Sequence, residues 1–368
     1  MRIQDIINII EEWAPPEIAW EKDNVGLQIG SRAGNVQRLL LALEISSEVV
    51  AEARRKKVDL IITHHPLLFR PLSSVSTSDN VGKLTYELIQ SGIAVYTAHT
   101  NLDFTRGGVS FALAERLGLM DVDFLHRTGS GLKKVSVFVP QEHVESVAEA
   151  MGRAGAGIIG DYEMCSFRVS GTGTFRPRKG AKPFVGSVGK FEKVEEARLE
   201  MLAPSWRVPR VLSAMLNAHP YEEVAYDIYP LDNRPEDVGA GAIGDLAAPT
   251  SLRTFLDRVT KKLGTKHLRH TGDPRVRVKR VAVCGGSGTS LLPVAIKARA
   301  DAFVTADIKY HTFHDAKGRI ALIDAGHYET ERPVLDVLVL RLQESLREKE
   351  EKVSVMITSN TTNPTLYH

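Results

Sequence analysis

The sequence predicts an α/β core with a largely parallel sheet, interrupted by an inserted α+β domain. Three observations carry that expectation. Apolar strand candidates alternate with amphipathic stretches over residues 36–125, the same alternation returns after residue 275, and a different order fills about 132–232 between them. The expected domains are 1–130 as the first half of the core, 131–234 as the insertion and 235–368 as the second half.

In the first half, Leu39-Leu40-Leu41-Ala42-Leu43 reads as a buried strand and 46–57 as an amphipathic stretch. Leu60-Ile61-Ile62-Thr63 follows as a second strand, then a helical stretch over 80–91, the strand Ile93–Tyr96 and a helix over 108–117 after Gly107-Gly108. In the second half, Val281-Ala282-Val283 leads through the turn Cys284-Gly285-Gly286-Ser287-Gly288 into a helix near 289–299. The strand Ala302-Phe303-Val304 comes next. Ile320–Ile323 is a further strand, and Val334, Leu335, Leu338, Leu342 and Leu346 form an apolar stripe on a long helix, 332–349, before the strand Val353–Ile357.

The middle segment reads as strand Val135–Val139, helix 142–153, strands Cys165–Phe175 and Ala197–Leu202, helix 208–218 and strand Val224–Tyr229. That β-α-β-β-α-β order is the split, ferredoxin-like pattern of a compact α+β domain. The turn-forming runs Thr128-Gly129-Ser130-Gly131 and Asp232-Asn233-Arg234-Pro235 mark its two boundaries.

Composition narrows the function classes. At 368 residues the chain accommodates two domains of roughly 100–200 residues each. Apolar residues are 43% and charged residues 25%, ordinary for a folded globular protein. The formal charge of +2 gives no electrostatic footprint for nucleic acid or an anionic membrane surface. Two cysteines, Cys165 and Cys284, make neither a disulfide framework nor a thiolate zinc motif. The N-terminus has helical spacing and early acids, unlike a secretory signal, and no segment approaches the roughly 20 apolar residues that span a bilayer. A cytoplasmic location is the expectation.

Three strand ends carry the chemistry. His64-His65 follows Leu60–Thr63, Asp103 lies in His99-Thr100-Asn101-Leu102-Asp103 after Ile93–Tyr96, and His327 and Glu331 follow Ile320–Ile323. In open α/β sheets ligands bind outside the carboxyl ends of strands, so these ends are expected to converge. Tandem histidines at a strand end point to different sides and can serve two ions. Asp103 is a candidate ligand or, with Asn101, a turn or cap residue. His327 and Glu331 share a face if a helical turn forms, although Glu331 could instead be a favourable charge at a helix N-terminus.

Three imidazoles and two carboxylates suit zinc, manganese or iron better than calcium or magnesium. Two such cations sharing a carboxylate acidify water and supply a nucleophile, so metal-assisted hydrolysis is the expected reaction class. His99 is expected to support a ligand or handle protons, and His311, within Thr305–His311, is the leading acid/base candidate. The Gly285–Gly288 loop either binds an anion at a helix N-terminus or is simply a tight turn.

Trp20-Glu21-Lys22-Asp23-Asn24-Val25-Gly26-Leu27-Gln28-Ile29-Gly30, Thr63–Phe69, His99–Asp103, Thr305–His311 and Gly326–Glu331 together resemble the type 2 GTP cyclohydrolase I homologue family, also called NGG-interacting-factor-like or YbgI-like proteins. The resemblance implies two divalent metal cations per subunit held by His64, His65, Asp103, His327 and Glu331. It also implies a toroidal homohexamer, a trimer of dimers. The middle segment, including His219–Asp227, looks like that family's optional insert, which is similar to PII and CutA-type domains. Two functions follow as expectations: a dinuclear metal-dependent hydrolase of a nucleotide or related phosphorylated small molecule, or a non-enzymatic hexameric protein that binds metal, senses a ligand or recruits a partner.

Overall fold

The structure, a computed structural model, describes residues 1–128, 131–233, 235–265 and 267–366. Gly129, Ser130 and Arg234, within the expected boundary turns, lie outside the described residues. The chain divides into two compact units, Met1–Arg127 with Asp237–His368, and Thr128–Glu236.

The larger unit corrects one expectation. Instead of one largely parallel sheet it holds two mixed sheets. In the first, Gly26–Ile29, Ala94–Thr97, Leu60–Thr63, Arg38–Ala42 and Ser354–Ile357 lie side by side in that order. All neighbours are parallel except Gly26–Ile29 with Ala94–Thr97. In the second the order is Arg269–His270, Ala321–Asp324, Ala302–Thr305, Arg277–Val283, Gly239–Ser251 and Leu119–Arg127, with only the inner three strands mutually parallel. Each parallel group has an antiparallel neighbour along at least one edge, so the two do not merge. The carboxyl-terminal strand crosses back to the first sheet, pairing Val355 with Leu39.

Burial alternates as a doubly covered strand requires. Leu39, Leu41, Leu60 and Ile62 pack with helices Ile3–Trp13 and Pro333–Glu348, while Leu40, Ala42 and Ile61 pack against helices Ser47–Arg55 and Asn80–Gln90. In the second sheet Val281, Val283 and Val304 face helix Leu252–Leu263, and Ala282, Phe303 and Leu322 face Leu292–Lys297. Helix Val109–Leu117 gives Val109 and Ala112 to the first core and Leu113 and Leu117 to the second.

The smaller unit has the order strand Leu132–Pro140, helix Val144–Arg153, strands Ser166–Phe175 and Glu192–Pro204, helix Val208–Ala218 and strand Tyr226–Pro230. Its four strands are antiparallel, with Ser166–Phe175 and Tyr226–Pro230 at the edges. Val135, Val137, Leu199 and Met201 on one sheet face pack against Val147, Met151, Val211 and Met215 from the two helices.

Glu52 ties the chain end of the larger unit to helix Ser47–Arg55. Its buried carboxylate accepts hydrogen bonds from Lys56 Nζ at 2.6 Å, Ser359 Oγ at 3.0 Å and Asn360 Nδ2 at 2.8 Å, and from Thr358 Oγ1. Burial alone would raise its pKa, but Lys56, Thr358 and Ser359 outweigh it and hold Glu52 at about 2. A depressed carboxyl stabilises the fold above its ordinary value and ceases to do so as pH falls through the folded one. Glu52 therefore contributes stability at neutral pH that is lost between 4.5 and about 2. Glu52→Gln is expected to cost on the order of 2 kcal/mol at pH 7 and much less at pH 2, measured by urea denaturation; an equal cost at both would refute the assignment.

Candidate metal centre

The site gathers at the carboxyl ends of strands from both sheets of the larger unit. Leu60–Thr63 runs directly into His64 and His65, whose amides continue the ladder to Ala42 O and Leu43 O. Ala94–Thr97 leads to His99 and to the short helix Thr100–Phe104 that carries Asp103. Ala321–Asp324 leads to Gly326, at φ 90°, and the helix His327–Glu331, where one turn puts His327 and Glu331 on the same face.

Glu331, 4% exposed, is the centre of the arrangement. Its oxygens lie 3.0 Å from His327 Nε2, 3.1 Å from His65 Nε2 and 3.6 Å from His64 Nε2. Asp103 Oδ1 approaches His64 Nε2 to 3.7 Å. The five residues expected as ligands are thus brought together. His99 stands with them: its ligand atom and those of His64 and His65 fall within 4.8 Å of one another, as do those of His65, His327 and Glu331. The two groups share His65.

Every imidazole is gripped from behind. His64 Nδ1 lies 2.9 Å from Ala98 O, His65 Nδ1 3.0 Å from Glu44 Oε1, His99 Nδ1 2.9 Å from Asp23 Oδ1 and His327 Nδ1 2.6 Å from Asp307 Oδ2. An oxygen acceptor at Nδ1 fixes the hydrogen there in the neutral ring, so each Nε2 presents a lone pair. His65 Nε2 and His327 Nε2 then face each other at 3.4 Å. His64 Nε2 and Glu331 Oε2 are buried and have no hydrogen-bond partner. Imidazole nitrogens and buried carboxylate oxygens converging in this way call for positive charge among them, from protons or from a metal, which is the fit expected of a cation site.

The electrostatics say the same. Burial would lower His65, but Glu331 and Glu44 outweigh it and raise it to about 10. The Glu331 hydrogen bond, against burial, lifts His327 to about 9. Burial opposes charge on His64, yet Glu331 and Asp103 raise it. Burial would raise Glu331, and the imidazoles, His64 foremost, hold it well below the usual carboxylate range. The cluster attracts cations, whether protons or metal.

Elsewhere the placement differs from the sequence reading. His311 is exposed on helix Tyr310–Ala316, edge-on to Tyr310 at 5.5 Å, and has no hydrogen bond or ion pair with the cluster among the described residues. In the glycine loop, Gly286 N–H donates to Thr330 Oγ1 and Gly288 N–H to Thr305 Oγ1, so these two amides brace the site and are not free for an anion. Sequence reasoning missed Glu44 and Asp23 as imidazole partners. Glu44 follows Leu43 at a strand end, the same signal that marked His64. Asp307 adopts φ 54°, a left-handed conformation tolerated by Asp, and it presents its carboxylate to His327.

The Duf34/NIF3 (NGG1p interacting factor 3) family model matches residues 1–364. The chain belongs to that family. Two relatives named "GTP cyclohydrolase 1 type 2 homolog", from Halalkalibacterium halodurans and Bacillus subtilis, are 39% and 41% identical over 98% of this chain and 97% of their own. A solved structure of a Bacillus cereus protein related to NIF3 superposes with a TM-score of 0.87 at 40% identity, covering 100% of this chain and 99% of that one. A Staphylococcus aureus protein superposes at 0.79 with 28% identity, over 100% and 99% of the two chains.

A Cβ on Gly286, at φ 61°, would lie 2.2 Å from Glu331 Oε1 and 3.1 Å from His327 Nε2. Gly92, at φ 66°, faces open space. Both substitutions to alanine strain the backbone, but only Gly286→Ala must also displace a buried carboxylate. Gly92→Ala is expected to cost about 1 kcal/mol and Gly286→Ala roughly 2–4 kcal/mol by urea denaturation; equal costs would show that the loop does not press on Glu331.

Proposed function

We propose that this protein is a dinuclear metal-dependent hydrolase acting on a nucleotide or related phosphorylated small molecule. One observation carries the reading: the Nε2 atoms of His64, His65 and His327 converge on the buried Glu331 carboxylate, and His64 Nε2 and Glu331 Oε2 are buried without a hydrogen-bond partner. His64, His65, Asp103, His327 and Glu331 would hold two divalent cations, zinc first, manganese or iron as alternatives. Bound there, the cations would supply Lewis acidity and lower the pKa of water toward about 7. The substrate class draws support from the name printed for the relatives, GTP cyclohydrolase 1 type 2 homolog.

The chain's own residues do the remaining work. Glu44 and Asp307 orient His65 and His327 and keep their Nδ1 atoms occupied. Burial would raise Asp23, but His99 and Thr100 outweigh it and keep it ionised, so it fixes the His99 ring with Nε2 toward the cluster. His99 is the group placed to take and return a proton, and we assign that role to it in preference to the exposed His311.

The homohexamer and the PII/CutA-like character of the insertion belong to the same reading. The β-α-β-β-α-β order of the smaller unit supports the second. A cytoplasmic setting is also part of it; no helix among the described residues is long and apolar enough to cross a membrane.

Protein purified without chelators and loaded with zinc is expected to bind two equivalents per chain by elemental analysis and to hydrolyse a member of a nucleotide panel. Glu331→Ala should abolish both while far-UV circular dichroism is unchanged. Tight metal binding with no turnover across the panel would favour the non-enzymatic, metal-handling alternative. Asp23→Asn should lower turnover about 10–100-fold and move the pH profile, with zinc stoichiometry intact; an unchanged profile would remove His99 from proton transfer.

A further inference from the structure

A cleft of about 690 Å³ opens in the larger unit between the segment Glu21–Gly30 and the segment Leu68–Val75. Its size falls in the range of small-molecule sites. It shares two wall residues with the surroundings of His99: Asp23, which holds His99 Nδ1, and Phe69, whose ring is edge-on to His99 with centroids 6.5 Å apart. His99 does not itself line the cleft, and Asp23 and Phe69 are the link between the cleft and the imidazole that closes one side of the cluster.

The walls are fixed in place by two side chains, Asn24 and Gln28. Asn24 Nδ2 donates to Leu68 O, Leu68 N–H donates to Gln28 Oε1 at 2.9 Å, and Gln28 Nε2 donates back to Asn24 O at 2.9 Å. This loop of three bonds clamps the two segments together, so the cleft is formed before anything enters it. Phe69 keeps 54% of its surface exposed and Val75 47%, apolar area left uncovered beside a polar centre. Two cations, Lys22 and Arg70, and two carboxylates, Glu21 and Asp23, also line the cleft; Asp23 is taken up by His99 and Thr100, and neither cation has an ion-pair partner among the described residues. Thr85 lines it too; it is 3% exposed, and its Oγ1 has no hydrogen-bond partner.

We propose that this cleft is the substrate's binding pocket. It would take a planar, largely apolar ring of nucleobase size against Phe69 and an anionic substituent near Lys22 and Arg70, leaving the reacting group at the His99 side. This rests on the cluster being the reaction centre. The pairing of an exposed aromatic with unpaired cations fits a ring carrying a phosphate, since base-to-aromatic contact and charge are separable contributions.

The test is direct binding to the full-length protein, read by titration calorimetry with GTP, 1-naphthyl phosphate and inorganic phosphate. Phe69→Ala should weaken GTP and 1-naphthyl phosphate about tenfold and leave inorganic phosphate and zinc stoichiometry unchanged. Arg70→Ala should weaken all three phosphates. Ring-bearing ligands that bind wild-type and Phe69→Ala proteins within twofold overturn the proposal, as does failure of both to bind the wild type. Phe69-dependent binding by a protein that takes up no metal would leave the pocket standing and sink the catalytic reading; metal uptake and turnover without Phe69 dependence would do the reverse.

Discussion

Glu331 is a carboxylate at 4% exposure, and the arrangement around it follows from that fact. An isolated charge buried so deeply is too costly to persist, so its neighbours must supply compensating charge. Three imidazole Nε2 atoms at 3.0–3.6 Å do so if they carry protons or share cations. Carboxylates or a carbonyl behind each ring then decide its orientation, and the backbone bends to bring them there. Asp307 takes a left-handed conformation beside His327, and Gly286 and Gly326 occupy positions where a Cβ would strike Glu331 or Glu329.

The two-sheet architecture is what lets this charge cluster exist. His64, His65, His99 and Asp103 follow strands of the first sheet, whereas His327, Glu331 and Asp307 follow strands of the second. Glu331 draws on both, meeting His64 and His65 from the first sheet and His327 from the second. Helix Val109–Leu117, buried against both cores, and the return of Ser354–Ile357 to the first sheet bind the halves into one body. The site is therefore made by long-range pairing, and its integrity is coupled to cores on both sides of it.

Much of this was readable from the chain because it follows from local pattern. Buried parallel strands such as Leu39–Leu43 and Leu60–Thr63 are continuous apolar runs, and histidines and acids just past their ends stand out. The strand Gly239–Ser251 was not readable. It starts Gly239-Ala240-Gly241-Ala242, a composition that resembles a linker, yet it sits between Arg277–Val283 and Leu119–Arg127. The structure explains the glycines: a Cβ on Gly239 would lie 2.6 Å from Phe124 and one on Gly244 2.7 Å from Met120 O, so neighbouring strands approach only because side chains are missing. Without that strand, two sheets look like one. Helix Leu252–Leu263 was not anticipated either, although Ser251 caps it and Gly264 ends it at φ 68°. Partners such as Asp23, some 76 residues from His99, have no local signature at all.

The surroundings of the cluster are asymmetric. On one side the glycine loop closes directly on Glu331 and His327, its Gly286 and Gly288 amides occupied by Thr330 and Thr305, with no room for even a methyl group. On the other, His99 is backed by Asp23 and flanked by Phe69, both wall residues of an open cleft. A rigid, occupied wall resists displacement of the imidazoles; an open one admits a ligand. His99 stands between the two: its ring belongs to the cluster, and the Asp23 and Phe69 side chains that contact it belong to the cleft wall. The two sides therefore differ in kind: one is closed by backbone held in hydrogen bonds, and the other keeps apolar surface uncovered, with Phe69 54% exposed.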